Sequence, residues 1–409
     1  MTPNQSEIVI IGGGAIGCGI AYSLCRAGKT DIVLIERANE VGQVTTLQGA
    51  GLCGQVRTTA ERTKLAMHST RTFEDLQKNS EVKPDWHPVG SIRIALSEKA
   101  ADRFQELYTI ARECDLEAEL IDNLQTEKLW PAMEFSEVKS VLWCPSDGYM
   151  TPQSVAKCYR HECERMGAVF NISTSVEGIV VENDRVEAVA TDRGTIQCET
   201  LINAAGAHAY HIAGLAGLNF PIVAVRHEYF VTVGMDSLNP NLPCFRIPDL
   251  SLYGRAEDSG LLLGGWENDS FDILPAEYGL RDPAPAIDPD WDVLNDFENR
   301  FTRIFPGAKR QKKNRVAKGW PTFTPDGRFI IGESSRLKGF VMAGGCNAHG
   351  ISGSAGIGKL LVESLYENEP SEYVRSLSPD RFTETEWDWE SARAEARRVY
   401  ETYYSVESC

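Results

Sequence analysis

Residues 7–36 read EIVIIGGGAIGCGIAYSLCRAGKTDIVLIE, and the order of apolar runs, glycines and acid in this stretch decides the fold. Glu7 to Ile11 is a short, β-branched apolar run, as a strand buried on both faces of a parallel sheet requires. Glycines 12, 14 and 17 follow at GxGxxG spacing. The first permits the tight turn out of the strand, the second lets backbone approach a pyrophosphate, and the third lets helix and strand pack closely. Residues 15–27 predict a helix with Ile16, Ile20, Leu24 and Ala27 on one face and Gly28 as its stop. Residues 31–36 (DIVLIE) predict a second strand ending on Glu36, nineteen residues after Gly17. The helix start offers N–H groups and partial positive charge to phosphates, and the terminal acid can accept hydrogen bonds from ribose hydroxyls. Glycine spacing alone is a weak signal. Strand, helix, second strand and acid in this order point to a dinucleotide site rather than to a glycine-rich loop in a plain α/β fold.

The chain has 409 residues, 42% hydrophobic and 24% charged, which suits a soluble globular protein of two domain-sized units or one two-lobed enzyme. Its net charge of −17 argues against nucleic acid or an anionic membrane as partner, since both call for basic patches. Eleven cysteines are scattered without a CxxC pair or zinc-ligand spacing, so no metal site is expected and the thiols read as reduced, in a cytoplasmic compartment. The apolar run at 8–17 is too short for a membrane span and lacks the basic flank of a signal peptide.

The motif does not choose between NAD and FAD. An NAD fold would continue with alternating strands and helices. Here residues 37–59 (RANEVGQVTTLQGAGLCGQVRTT) are loop-like, and a helix is predicted only over 61–77. Two further strands run into small residues, TLINAAG at 200–206 and KGFVMAGG at 338–345. The second leads through CNAHGISGSAGIG to a helix over 359–366. Three glycine-rich strand ends converging on one ligand suit a long flavin dinucleotide, FAD, better than NAD.

At these stretches the chain resembles the D-amino-acid-oxidase superfamily of FAD enzymes, and within it the flavin portion of dimethylglycine and sarcosine dehydrogenases. The resemblance runs in order from residue 7 to about 370, through IVIIGGGAIGCGIAYSL, GAGLCGQVRTTAERTKLAMHSTRTFEDL, DGYMTPQSVAKCYRHECERMGA, LINAAGAHA, VRHEYFVT, GLLLGGWE, PTFTPDGRFIIGE and GFVMAGGCNAHGISGSAGIGKLL. The first and last are shared across the superfamily; the stretch at 49–76, VRHEYFVT and GLLLGGWE mark the N-methyl-glycine branch. It implies an α/β plus β fold: a Rossmann-like, glutathione-reductase-type FAD domain with an antiparallel-sheet substrate domain. The expected FAD domain is discontinuous (1–84, 145–220 and 328–370), the substrate domain takes 85–144 and 221–327, and 371–409 form a helical tail. The implied cofactor contacts are Gly12, Gly14, Ala15, Ile16, Gly17, Glu36, Arg37, Thr45, Thr46, Gln48, Gly49, Ala50, Gly51, Leu52, Val176, Ala205, Gly206, Gly319, Gly345, His349, Gly350 and Ile351.

In the longer relatives the loop resembling Thr45 to Leu52 carries a His joined covalently to the flavin. Here Gln48 stands in its place and has no nucleophilic ring nitrogen. In monomeric sarcosine oxidase the attachment is a Cys before a TPD-type motif, a place that falls near Gly319. Non-covalent FAD is therefore expected. Residues 378–408 resemble the helical segment that joins the flavin portion to a folate-binding portion in the longer relatives, and with the sequence ending at Cys409 no folate domain is expected.

Residues 221–330 change character. PIVAVRHEYFVTV (221–233), LSLYGRAE (250–257) and GLLLGGWE (260–267) alternate as antiparallel strands. The Pro- and Asp-rich 268–290 reads as a surface excursion, and 291–305 as a helix with Val293, Leu294, Phe297, Phe301 and Ile304 on its apolar face. Residues 85–96 add a strand and 98–113 a helix. A sheet of this kind can roof a flavin with the substrate held between.

Oxidation of an amine needs orientation of the carbon beside nitrogen and management of one proton; the flavin carries the hard step. His227 is the first choice for the proton-managing group, against a His merely satisfied within the sheet, and Tyr253 is a candidate for the same pocket. His349 is a candidate for contact with flavin or substrate, with a structural turn as the alternative. A substrate carboxylate calls for Arg, whose fork matches two oxygens. Arg226, Arg246, Arg255 and Arg57 are the candidates, each set against a surface or structural role. Asp326 reads as a turn former and Cys346 as a packed bystander.

The expected function is FAD-dependent oxidation of an amino-acid C–N bond, most simply N-demethylation of an N-methyl amino acid through an imine to amine and formaldehyde. The alternatives are oxidation of a D-amino acid or a cyclic imino acid, and a non-catalytic flavin subunit that passes electrons within a complex. Expected partners are a small amino-acid substrate and, as acceptor, O2 or an electron-transfer protein or quinone.

Overall fold

In a computed structural model of the chain, the structure describes residues 4–235, 238–258, 260–383, 386–403 and 406. Cys409 and the tail positions 384–385, 404–405 and 407–408 lie outside the described residues.

The opening run forms the strand Gln5–Ile11. It pairs in parallel with Ile32–Ile35 on one side and Gly194–Asn203 on the other. Val169–Asn171 and Phe340–Gly344 extend the parallel sheet outward. Side chains alternate across a strand, so this sheet feeds two cores. Ile8, Ile10, Ile32 and Leu34 face one, with the helices Ala15–Arg26, Pro152–Arg165 and Ser354–Tyr366. Val9, Ile11, Val33 and Ile35 face the other. Burial on both faces is why the sequence runs apolar without alternating.

A second eight-stranded sheet is mostly antiparallel. Its order is Lys312–Gly319, His227–Val233, Gly260–Gly265, Leu252–Glu257, Cys244–Ile247, Ser91–Ala95, Ser140–Cys144 and Glu119–Ile121. Trp291–Phe301 covers one face, started by Asp290, whose carboxylate accepts from the Val293 N–H. Leu294, Phe297 and Phe301 of this helix are fully buried against Phe245, Leu252 and Leu263. Each such side chain stabilises by roughly 1.5–3 kcal/mol. The opposite face of the sheet looks toward the ends of the parallel strands.

One expectation is corrected here and one refined. The run 221–233 is not one strand. Val223–Val225 belongs to a small sheet with Asp272–Ile273 and Thr322–Phe323, while His227–Val233 belongs to the large one. The chain changes sheets at Arg226, whose N–H donates to the Phe271 carbonyl at 2.7 Å. The 268–290 segment runs over the surface, as expected, but is pinned to the fold rather than loose. Asp272, Ile273 and Tyr278 are buried, the Tyr278 hydroxyl donates to the Ala207 carbonyl at 2.6 Å, and His211 Nε2 lies 2.8 Å from the Tyr278 carbonyl. The segment thereby fastens the small sheet to the dinucleotide side.

The tail is built into the fold. Helix Trp389–Glu401 lies on the small sheet, and its Tyr400 is fully buried with Val223, Trp266 and Phe323. Among the described residues no helix is long and apolar enough to cross a membrane.

Candidate active site

The carboxyl ends of Gln5–Ile11, Ile32–Ile35 and Gly194–Asn203 open on one cavity of about 300 Å³, the place where open parallel sheets hold ligands. Gly12 turns the chain at φ +109°. A Cβ on Gly17 would stand 1.9 Å from the Gly12 carbonyl oxygen, so position 17 serves helix–strand packing and does not line the cavity. Gly12, Gly14, Ala15 and Ile16 do line it. Gly14 begins the helix in extended conformation without a side-chain cap, and the Ala15 N–H donates to Thr46 Oγ1 at 3.0 Å.

At the far end of the cavity, Glu36 accepts from the Gly13 and Ala38 N–H groups at 2.7 and 2.8 Å. Four lone-pair sites on a carboxylate leave room for ribose hydroxyls beside them. Arg37 donates to the Leu280 and Asp282 carbonyls, and its guanidinium lies 3.3 Å from His208 Nε2. Burial, then Arg37, lowers the His208 pKa to about 4, which keeps the ring neutral. Val176, Ala205 and Gly206 line this end too.

The middle of the cavity is walled by Thr45, Thr46, Gln48, Gly49, Ala50, Gly51 and Leu52, facing Gly319, Gly350 and Ile351. Gln48 lies over Gly319, where a Cβ would come within 2.3 Å of its amide oxygen. Among the described residues that oxygen is buried without a hydrogen-bond partner. A long, glycine-walled slot with a helix start and an acid at one end and an orphaned amide midway along it fits a flavin dinucleotide. Cys346 lines the slot as well, but burial pushes its thiol up and keeps it protonated.

The large sheet closes the other end. Register places Arg93, Arg246, Tyr253, Gly264 and Tyr229 in one row across five strands. Tyr253 lies over Gly264, where a Cβ would meet the phenol oxygen at 2.4 Å. This bare position lets the ring reach His227, two residues along from Tyr229 on the same face. His227 Nε2 is 2.7 Å from the Tyr253 hydroxyl, Nδ1 is 3.1 Å from the Tyr400 hydroxyl, and the ring stacks on Trp266 at 4.5 Å. Burial lowers its pKa to about 3, so the imidazole is neutral at physiological pH. Tyr400 donates to Glu267 Oε2 at 2.5 Å.

The four candidate arginines separate. Arg246 lines the cavity with His227, Tyr253 and Trp266. Arg226, at the switch between sheets, is paired with Asp290 at 2.9 Å and Glu267 at 3.5 Å, and lies outside the cavity lining. Arg255 pairs with Glu257 at 2.7 Å and lies 4.0 Å over the Tyr149 ring, also outside. Arg57 donates to its neighbour's carbonyl, Val56, and borders a separate small hollow together with His349.

His349 likewise stands behind the main cavity, with the Tyr403 hydroxyl within 2.7 Å of its ring. Burial, then the charges of Arg57, Arg62 and Arg246, holds its pKa well below the usual value. Gly345 turns the chain at φ +61° without lining the cavity, and Asn347 and Ala348 continue that left-handed turn. Asp326 does form a turn, accepting from the Arg328 N–H, and it also pairs with Arg381 of the tail at 2.8 Å.

The sequence reading missed Trp266, Gly264 and Tyr400. A glycine inside the strand GLLLGG is itself a signal of close approach and pointed to position 264. No local signal marks Tyr400.

Over residues 7–364 the chain matches the family described as FAD dependent oxidoreductase. It is 28% identical over 381 residues to the 4-methylaminobutanoate oxidase (formaldehyde-forming) of Paenarthrobacter nicotinovorans, covering 93% of this chain and 46% of that protein. It is 29% identical over 414 aligned positions to the mitochondrial sarcosine dehydrogenase of Mus musculus, covering 99% of this chain and 44% of that protein. The chain thus spans less than half the length of these curated relatives. The crystal structure of L-proline dehydrogenase from P. horikoshii superimposes with a TM-score of 0.83 over 95% of this chain and 100% of that one, at 23% identity, which is a likeness of fold. With the match extending from the first strand to the helix Ser354–Tyr366, the chain belongs to the family of FAD dependent oxidoreductases.

Proposed function

We propose that this chain oxidises an amino acid at the carbon beside its nitrogen, most simply removing an N-methyl group as formaldehyde by way of an imine. The observation that carries the reading is that Tyr253, His227 and Arg246 open into the same cavity as Gly12, Gly14 and the 45–52 loop. Both relatives support it by name, since sarcosine and 4-methylaminobutanoate each join an N-methyl amine to a carboxylate.

FAD, when bound, supplies the acceptor for a hydride equivalent. Gly12 to Ile16 and the helix start would hold its pyrophosphate, Glu36 its ribose, and the 45–52 loop with Gly350 and Ile351 its flavin. Arg246 receives the substrate carboxylate, its fork matching the two oxygens. The Tyr253 oxygen accepts from the substrate nitrogen, and His227 Nε2 in turn holds the Tyr253 hydroxyl. Trp266 covers the ring of His227 and helps exclude water. A neutral His227 puts no second cation beside an incoming amine.

Gln48 supports non-covalent FAD, because a side-chain amide cannot form the histidyl link. Ten cysteines among the described residues are free thiols, which supports a reducing compartment such as the cytoplasm.

Anaerobic bleaching of the FAD-loaded protein tests the reading, with a panel of sarcosine, dimethylglycine, 4-methylaminobutanoate, N-methylproline, proline and D-alanine. An N-methyl amino acid is expected to bleach the flavin fastest and release formaldehyde. Fastest bleaching by proline or D-alanine transfers the site to that substrate class. A flavin that none of them reduces ends the enzymatic reading.

A further inference from the structure

Tyr400 reaches the site from the C-terminal helix, 173 residues from His227, and no part of the reaction described above uses it. The directions of the hydrogen bonds around it follow from the inventory of donors. Glu267 is half-buried between Tyr400 and Arg226. Burial raises its pKa, while the guanidinium 3.5 Å from its second oxygen favours the carboxylate. A carboxylate accepts only, so the single hydroxyl hydrogen of Tyr400 is spent on Glu267, at 2.5 Å. The Tyr400 oxygen then faces His227 Nδ1, 3.1 Å away, as an acceptor, and Nδ1 must carry the hydrogen. A neutral imidazole has one N–H, so Nε2 is a bare lone pair. It accepts from the Tyr253 hydroxyl at 2.7 Å, so the hydrogen of that hydroxyl, which stands on the cavity wall, is directed at His227.

We propose that Tyr400 and Glu267 are a positioning pair that commits His227 to its Nδ1–H tautomer and so turns the Tyr253 oxygen toward the cavity as an acceptor. This rests on the reading of His227 and Tyr253 as the pair that meets the substrate nitrogen. With the other tautomer, His227 would donate to Tyr253, and the Tyr253 hydrogen would point at an amine that is itself a donor. The C-terminal helix is on this account part of the site.

Long-range proton–nitrogen correlation spectra of the full FAD-loaded chain, labelled with 15N-histidine and assigned with His227→Gln, read the tautomer without any substrate. The native protein is expected to show Nδ1–H. Tyr400→Phe keeps the ring that packs 4.7 Å from Trp266 and 5.5 Å from Phe323, and is expected to lose that tautomer. Glu267→Gln, whose amide oxygen still accepts from Tyr400, is expected to retain it, and Glu267→Leu to lose it. Flavin reduction in Tyr400→Phe is expected to slow by about 10- to 100-fold, with substrate affinity held within about threefold. An Nε2–H tautomer in the native protein, or an unchanged one in Tyr400→Phe, overturns the proposal. If the tautomers behave as stated while no amine bleaches the flavin, the proposed function fails and the positioning pair stands.

Discussion

The phenol of Tyr253 occupies the space that a side chain at Gly264 would take, a Cβ there standing 2.4 Å from both the ring carbon Cζ and the hydroxyl oxygen. The two residues face each other in register on neighbouring strands. Gly264→Ala should therefore lift the ring off the sheet and break the 2.7 Å contact with His227. Flavin reduction by the best substrate should slow by about 100-fold, the scale of a misplaced proton-handling group. FAD content should stay near native, while the thermal midpoint should fall modestly, since the alanine methyl would also stand 2.9 Å from the Tyr229 Cβ. Stopped-flow reduction with a native rate in this variant would show that Tyr253 is not positioned by Gly264.

Three histidines whose rings are largely withdrawn from water predict an acid limit to stability. His227 is lowered to about 3 and His208 to about 4, and His349 lies well below its usual value, in each case first through burial. A folded pKa below the unfolded one means that the unfolded chain binds the proton more readily. The contribution is fully present above the unfolded value near 6.5 and is lost as pH falls below it toward the folded values. At pH 5 His208 and His227 should each withdraw on the order of 1 kcal/mol after allowance for partial exposure, and His349 acts in the same direction. Thermal unfolding of the FAD-loaded protein should show a flat midpoint from pH 8 to 7 and a decline below 6.5. His208→Asn should make that decline shallower; an equal slope would place the acid sensitivity elsewhere.

How much of this was readable beforehand depends on how local the cause is. Strand, GxGxxG turn, helix and Glu36 lie within thirty residues, and each has a steric or electrostatic reason that acts at short range, so the dinucleotide half was legible. The 221–233 run was not, because both of its sheets bury it and an apolar alternation looks the same on either side of the switch at Arg226. The same switch explains why Arg226, adjacent to His227 in sequence, faces Asp290 and Glu267 instead of the cavity. Tyr400 depends on a helix from the far end of the sequence docking on the small sheet, which no window of sequence contains. The Pro- and Asp-rich 268–290 was legible only in part: its composition is that of a loop, while Tyr278 and Ile273 supply the anchors.

Among the arginines, Arg246 alone of the four candidates borders the cavity, and this yields a selective expectation. Arg246→Lys keeps a positive charge but loses the planar fork. For a carboxylated N-methyl substrate, kcat/KM should fall by about 100-fold, close to the loss of one charge-assisted bidentate pair. For an N-methylamine of similar size without a carboxylate, the change should be less than about threefold. Arg255→Lys, where the native side chain is tied to Glu257, should not discriminate between the two substrates. Equal losses on both substrates in Arg246→Lys would mean that the residue supports the fold and not the carboxylate.

The resemblance puts Gln48 in place of a flavin-linking His and Gly319 near the alternative cysteinyl site, and the Gln48 side chain lies across Gly319. Neither position offers a ring nitrogen or a thiol. The nearest thiol on the cavity wall, Cys346, is kept protonated by burial, and the thiolate is the nucleophilic form. Acid precipitation of the purified protein should therefore leave a white pellet, with the flavin entirely in the supernatant. A yellow pellet would establish a covalent link, and Cys346→Ala would then locate it: loss of the pellet colour assigns the bond to that thiol, and retention moves it to one of the histidines on the cavity wall, His208 or His227. The orphaned amide oxygen of Gln48 makes a second measurement possible. If that amide hydrogen-bonds the flavin, Gln48→Leu should weaken FAD retention by about 10-fold, on the scale of one buried hydrogen bond, and should shift the visible flavin absorption. An unchanged spectrum and affinity would confine Gln48 to packing over Gly319.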